Sequence, residues 1–505
     1  MGLARSWSIG LHGVEGDLVE IEADVGIGLP GLSLVGLPDA ALAEARDRVR
    51  AAVVNSGQIW PNRKITLALS PATLPKQGSS YDLALACGVL AADDRLAADA
   101  LEGVVLLGEL ALDGRIRDVR GVLPCVMAAR RAGVKRVVVP ANALDEAGLV
   151  DGVELFGASH LCEVLAWLRR EGDLPGPETR PRSRSRPPID DLADVVGQEP
   201  ARRAIEVAAA GGHHLLFVGP PGSGKTMLAR RLTGLLPDLV VEEAMEVAAV
   251  RSLAGALPPD EELPITPPFV APHHGVSAAA LVGGGSGLAR PGAVSMAHRG
   301  VLFLDEVFEF GPHLLDCLRT PLEEGEVRLA RKDGVVRYPA RFQLVMAANP
   351  CPCAPPRPAD CQCGPNQLRR YAGRLSGPML DRVDLRVVFE AVGSLDRGPD
   401  ETPEDTATVR GRVLAARERA RERWRASGWL SNAEVPGPAL RRHVPIPRDA
   451  AMDLDRKLRS GLLTARGLDR CLRVAWTLCD LRGGERPDAA DVHAALELKH
   501  EGSAV

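Results

Sequence analysis

The chain has 505 residues, and at roughly 150 residues per domain this length predicts about three domains, each able to bury its own core. Hydrophobic residues at 46% and charged residues at 25% match a soluble globular protein and exclude a disordered or collagen-like chain. Aromatics at only 3% exclude broad stacking platforms for single-stranded nucleic acid. A net charge of −5 excludes a uniformly basic coat but allows a local basic loop or pore.

The start, Met1-Gly2-Leu3-Ala4-Arg5-Ser6, fits the loose myristoylation pattern but runs straight into an alternating apolar segment, so it reads as a first strand. No secretory signal and no apolar run of the roughly 18 residues needed for a membrane helix are present, so a cytoplasmic protein with no membrane partner is expected. Over residues 1–170, strand-like runs at Leu18 to Ile21, Ile65 to Leu69, Val104 to Leu107 and Val137 to Val139 alternate with Ala-rich helical stretches at 39–55, 82–92 and 122–132, which predicts an α/β domain. Asp113-Gly114 between two apolar runs predicts a hairpin turn. Residues 171–188, EGDLPGPETRPRSRSRPP, have almost nothing to bury and read as a solvated linker. From 189 to 395, β-branched runs alternate with helices as in a parallel sheet covered on both faces. Residues 396–505 are helical, and the run Arg410, Arg412, Arg417, Arg419, Arg421, Arg423, Arg425 reads as a solvated helix face.

The central segment carries the chemistry. Residues 213–228 give an apolar strand, then Gly219-Pro220-Pro221-Gly222-Ser223-Gly224-Lys225-Thr226, then a helix. This is the full phosphate-loop spacing in its required context. The glycines let backbone N–H groups and the helix N-terminus wrap phosphates, Lys225 reaches the β/γ oxygens, and Thr226 holds Mg²⁺. Val301-Leu-Phe-Leu-Asp305-Glu306 is an apolar strand ending in two acids. Asp305 is expected to support the Mg²⁺ shell and Glu306 to polarise the attacking water. Asn349 ends a further buried strand and is placed to orient that water. Arg382 suits a finger reaching from one subunit into its neighbour's site, with Arg374 as the second choice. Arg466, opening a late helix after Thr464, suits sensing of nucleotide in the same subunit. This ordered series resembles the AAA+ ATPases.

Within that class, Ala271-Pro-His-His274, Gly283-Gly-Gly285, Pro291-Gly292, Ala297-His298 and Gly300, leading to Asp305-Glu306, are similar to the magnesium-chelatase-like group. Gly28-Leu-Pro30, Val35-Gly36-Leu37-Pro38-Asp39 and Leu74-Pro75-Lys76-Gln77-Gly78-Ser79 are similar to the N-terminal domain of the ComM/YifB family, so the resemblance spans nearly the whole chain. Trp476 departs from it, standing where a second sensing arginine belongs. The resemblance implies three parts: an N-terminal Lon-protease-like (ribosomal S5 domain 2-like) α/β domain, a P-loop AAA+ parallel-sheet domain and a C-terminal helical lid. It implies an ATP- and Mg²⁺-dependent homo-hexamer that translocates on branched or single-stranded DNA and promotes branch migration in recombination or natural transformation. The alternative is a chelatase-like or chaperone-like motor that remodels a partner protein.

Three further expectations come from particular residues. The segment Glu326 to Tyr338 reads as a β-hairpin whose basic tip, Arg331 and Lys332, touches DNA phosphates; the alternative is a solvent-exposed hairpin blunted by charge. Cys351, Cys353, Cys361 and Cys363, spaced C-x-C-x₇-C-x-C, fit a Cys₄ Zn²⁺ site, with free or redox-active thiols as the alternative. Ser80 falls where the Lon-type nucleophile belongs, but Leu123 occupies the place of its base lysine. A serine without a base is a poor nucleophile, so proteolysis is not expected.

Overall fold

The computed structural model describes residues 2–36, 40–72, 76, 78–178, 186, 189–258, 263–285, 289–331, 334–389, 403–443 and 447–500. Lys332, Leu37 to Asp39, Leu74, Pro75, Gln77 and most of the expected linker lie outside these residues. The N-terminal part is a seven-stranded mixed sheet of β1 (Gly2–His12), β2 (Glu15–Gly26), β3 (Gly31–Val35), β4 (Lys64–Ser70), β5 (Val104–Leu106), β6 (Arg136–Pro140) and β7 (Glu154–Ala158), in the order β3-β4-β2-β1-β5-β6-β7. Its first strand begins at Gly2, where the myristoylation pattern stood. Along β2, alternate residues Val19, Ile21, Ala23 and Val25 face inward and are buried, as a period of two requires. Helices α1 (Ala40–Asn55) and α2 (Asp82–Ala92) share one core with this face, and α3 (Val122–Arg131) packs on the other with Val105, Val137 and Val139. All of α2 is buried, so its one carboxylate needs a partner: Asp82 takes two hydrogen bonds from Arg48, at 2.6 and 3.1 Å. The Asp113-Gly114 turn joins two short paired strands, Glu109–Leu110 and Ile116–Arg117.

The second sheet is parallel throughout. It contains β8 (Leu215–Val218), β9 (Phe269–Val270), β10 (Val301–Leu304), β13 (Gln343–Ala348) and β14 (Leu385–Val388), ordered β9-β10-β13-β8-β14, while β11 (Glu326–Arg331) and β12 (Gly334–Pro339) form a separate antiparallel hairpin. Every residue of β8, β10 and β13 is buried, which explains why these strands read as continuous apolar runs: a parallel sheet is covered on both faces. Helices α4 (Glu199–Gly211) and α5 (Lys225–Leu235) cover it, and their core runs without interruption into the C-terminal helices α7 (Thr406–Trp424), α8 (Ala465–Arg482) and α9 (Ala489–His500).

Between the two α/β parts stands α6 (Val241–Ala254). Ala248 joins the core beneath α3, and Ser252 donates to Glu146 of the N-terminal part at 2.5 Å. The β1–β2 turn completes the junction. At Gly13 (φ 75°) a Cβ would lie 2.1 Å from the Arg337 carbonyl oxygen, so only glycine lets the turn rest on the hairpin.

Two expectations are corrected. The basic run of α7 is only in part a solvated face: Arg421 and Arg425 are exposed, but Arg412 binds Glu206 and Glu404, Arg417 donates to the Ala209 carbonyl, and Arg423 binds Asp480. These bonds join α7 to α4 and α8, and burial draws the Arg417 pKa down to about 10. The linker expected over 171–188 is also not wholly solvated. Leu174 is buried in the N-terminal core, and Arg186 pairs with Asp238 at 3.3 Å.

Candidate nucleotide site

The loop after β8 turns back on itself at Gly222 (φ 74°) and Gly224 (φ 92°) before α5 starts at Lys225. Nothing lies within 4 Å of a Cβ built on Gly222, which leaves an open cradle under the N–H groups. The buried Lys225 ammonium donates to the Gly219 and Pro220 carbonyls at 2.7 and 2.8 Å and to Asn349 Oδ1 at 3.3 Å. Burial lowers its pKa, opposed by the charges of Asp305 and Glu306. Thr226 Oγ1 donates to Asp305 Oδ2 at 2.7 Å, pairing the two oxygens suited to a divalent cation, and Ser223 donates to the Pro220 carbonyl at 2.8 Å. Glu306 stands at the head of the next turn with φ 50°, its carboxylate half exposed and 3.6 Å from His274 Nδ1. Lys225, Thr226, Asp305, Glu306 and Asn349, predicted from separate stretches, therefore meet at the C-terminal edge of one sheet. β13, which Asn349 directly follows, lies between β8 and β10, so the Asn349 amide falls between the lysine and the acids. Sheet order alone produces this convergence.

The two predicted arginines are elsewhere. Arg382 precedes β14 and Arg466 opens α8 behind its Thr464 cap; both line a polar cleft with His214, Asp384 and Gln343, at the starts of the strands. That is the sheet edge opposite the phosphate loop. Arg466, expected to sense nucleotide in its own subunit, therefore lies on the edge away from the phosphate loop of the same chain. Arg382 donates to the Pro378 carbonyl at 2.6 Å and pairs with Glu323, while its buried Nε lacks a hydrogen-bond partner. Arg374, the second choice, is on the catalytic edge, held by Glu309 at 2.9 Å and the Phe308 carbonyl at 3.2 Å. Trp476 is buried in the core of the C-terminal helices under the Arg423 guanidinium, 3.9 Å from its ring centroid, and does not line the cleft.

Three family profiles match the chain: "Subunit ChlI of Mg-chelatase" over residues 21–143, "Magnesium chelatase, subunit ChlI" over 191–396, and "Magnesium chelatase, subunit ChlI C-terminal" over 403–499. A protein of Mycobacterium tuberculosis is 57% identical, each chain covered over 100%. YifB of Escherichia coli is 44% identical over 93% of this chain and 91% of its own, and the competence protein ComM of Haemophilus influenzae is 42% identical over 96% and 95%. The chain belongs to the ComM/YifB family of magnesium-chelatase-like proteins. That family is a branch of the AAA+ ATPases, so this member is an AAA+-type ATPase that uses ATP and Mg²⁺.

The remaining predicted residues of this ComM/YifB-type ATPase stand outside that group. Arg331 ends β11 at the hairpin tip, paired in register with Gly334; the hairpin root is anchored by buried Val327 and Tyr338, whose hydroxyl donates to the Ala289 carbonyl. Cys351, Cys353, Cys361 and Cys363 bring their Sγ atoms within 4.8 Å of one another. In the N-terminal domain Ser79 donates to Glu109, Lys76 is buried with its ammonium on the Pro71 carbonyl, and Leu123 is buried in α3. No helix among the described residues is long and apolar enough to cross a membrane.

Sequence reasoning missed His274 beside Glu306, and it missed Arg470 and Arg473, which line the cleft with Arg466. The arginines carried a usable signal, because positions 466, 470 and 473 recur on one helix face. For His274 the motif was visible, but its pairing with Glu306 depends on β9 lying beside β10.

Proposed function

We propose that the protein is a Mg²⁺-dependent ATP-driven motor that works as a hexameric ring, translocates on DNA and drives branch migration in recombination or natural transformation. The observation that carries this reading is the division of one catalytic set between two edges of a sheet. Lys225, Thr226, Asp305, Glu306 and Asn349 occupy one edge, and Arg382 with Arg466 the other. A second copy packed head to tail brings its arginines to the first copy's nucleotide, and repetition of that contact closes a ring. Both arginines therefore act in trans. Bound Mg²⁺-ATP supplies a charged γ-phosphoryl group whose oxygens the metal neutralises. Lys225 and the loop N–H groups bind it, Thr226 and Asp305 hold the cation, Glu306 takes the proton of the attacking water and Asn349 orients that water. The neighbour's arginines answer the charge that develops in the transition state.

The hairpin supports DNA as the track. Its basic tip suits phosphates and reads no bases. In this reading the four clustered cysteines hold a structural Zn²⁺, and the N-terminal domain is a docked scaffold, not a protease. The test is ATP hydrolysis by the purified protein with single-stranded, duplex and branched DNA, using Glu306→Gln as control. Stimulation that is greatest with branched DNA and absent in the control is expected. Hydrolysis indifferent to every DNA overturns the DNA reading and favours a motor acting on a partner protein.

A further inference from the structure

We propose that Cys351, Cys353, Cys361 and Cys363 bind one Zn²⁺, and that this closed site positions Asn349 and braces the segment behind Glu306; the second half rests on the ATPase reading above. Four thiolates around one zinc at about 2.3 Å stand about 3.8 Å from each other. Here Cys351 Sγ is 3.4 Å from Cys353 Sγ, Cys353 Sγ is 3.7 Å from Cys361 Sγ, and all four sulfurs lie within 4.8 Å of one another. An iron–sulfur cluster spreads its ligands over several metal atoms, so this tight grouping fits a single ion. Four protein ligands leave no open position, which makes the ion structural and not catalytic.

The loop has little else to hold it. From Asn349 to Gly364 it runs sixteen residues, five of them proline, and its one element is a short 3₁₀ turn at Pro358–Asp360. Prolines remove backbone donors, and of the four cysteines only Cys351 is fully buried. Long structureless segments inside a compact domain need such a staple. Ala354, directly after Cys353, sits at φ 43°, a strained conformation for a residue with a Cβ; its N–H donates to the Cys351 carbonyl at 3.2 Å, closing the turn that folds the first thiol pair inward.

The two ends of this loop lead to the two sides of the catalytic centre. Cys351 is two residues beyond Asn349, whose amide oxygen meets Lys225. Beyond Cys363, the helix Pro365–Ala372 carries Tyr371, packed 4.5 Å from the Phe308 ring, and Arg374 follows, bonded to Phe308 and Glu309. Phe308 and Glu309 belong to the turn that begins at Glu306. One ion therefore ties the strand end bearing Asn349 to the support of Glu306.

The experiment uses full-length protein purified without chelator, compared with Cys361→Ser/Cys363→Ser and with Cys363→His, which keeps a zinc ligand. Metal analysis of the wild type is expected to return about one zinc per chain, and the double serine variant almost none. Its kcat for ATP is expected to fall about tenfold to a hundredfold while KM and binding of a fluorescent nucleotide stay near wild type, because the shorter bonds from Lys225 to the Gly219 and Pro220 carbonyls hold it to its own loop when Asn349 shifts. Cys363→His restores both zinc and kcat. Folded wild-type protein without zinc, its four cysteines reacting as free thiols, overturns the site. A zinc-free double variant with wild-type kcat overturns the positioning role. Zinc in wild-type protein that hydrolyses no ATP upholds the metal site and fails the ATPase reading, so the two failures are distinguished.

Discussion

At the residue scale, binding and hydrolysis are assigned to different groups, and single substitutions separate them. Glu306→Gln keeps the shape of its side chain but cannot accept a proton, so kcat is expected to fall by about 10² to 10⁴ while nucleotide binding persists. Lys225→Ala is expected to weaken binding itself, because it removes the ammonium that the loop carbonyls of Gly219 and Pro220 hold in the cradle. Equilibrium binding of a fluorescent ATP analogue beside steady-state hydrolysis checks both. Wild-type kcat in the glutamine variant would remove Glu306 from the chemistry. These residues were legible in the sequence because phosphate binding demands several residue types at fixed spacing within one strand–loop–helix unit. The placement of Arg466 was not legible, because its helix and cap were readable but the edge of the sheet on which that helix packs was not. Asp384, 3.6 Å from Arg470, holds α8 at the strand starts, and no local pattern in either residue announces the other.

At the element scale, α6 and the hairpin share one junction. His298 accepts from the Arg341 N–H at its Nδ1, which leaves the proton on Nε2, 3.0 Å from Glu246 on α6. Arg299 donates to the same carboxylate at 2.8 Å. The His298 hydrogen bond first, and the Arg299 guanidinium with it, hold the Glu246 pKa down at about 2. A carboxylate whose pKa is depressed on folding contributes stability above its unfolded pKa, and that contribution is lost as pH falls through the folded value. Glu246→Gln is therefore expected to lower the urea midpoint at pH 7, and the gap from wild type to shrink as pH falls from about 4.5 toward 2. A gap independent of pH would show that the substitution acts by shape alone. At the other end of the hairpin, Arg331→Ala with Lys332→Ala is expected to leave basal ATP hydrolysis intact while reducing DNA stimulation and its dependence on salt. Stimulation unchanged in that variant would take the hairpin out of DNA contact. The hairpin was legible from its alternation and turn, whereas the basic run of α7 was not. Its partners Glu206, Glu404 and Asp480 lie outside the helix, and a run of arginines looks the same in one dimension whether it meets water or carboxylates.

At the scale of the whole molecule, a seven-stranded sheet, a parallel five-stranded sheet and the C-terminal helices are joined through α6 and through the core shared by α4 and α7. The two sheets and the C-terminal run of helices were legible from alternation and from the helical pattern after residue 395. The docking between them was not, since it depends on single contacts such as Gly13 on Arg337 and Ser252 on Glu146. The most consequential feature at this scale is that the chain carries its phosphate loop and its cleft arginines on opposite edges of one sheet.

Subunit mixing tests that directly. Lys225→Ala and Arg382→Ala proteins, each inactive alone, are combined and ATP hydrolysis is measured. In a ring completed in trans, a site with intact Lys225 next to a neighbour with intact Arg382 regains function, so an equal mixture is expected to recover about a quarter of wild-type activity. A mixture as inactive as its components, under conditions where the two proteins are shown to co-assemble, would contradict a catalytic site shared between neighbouring copies.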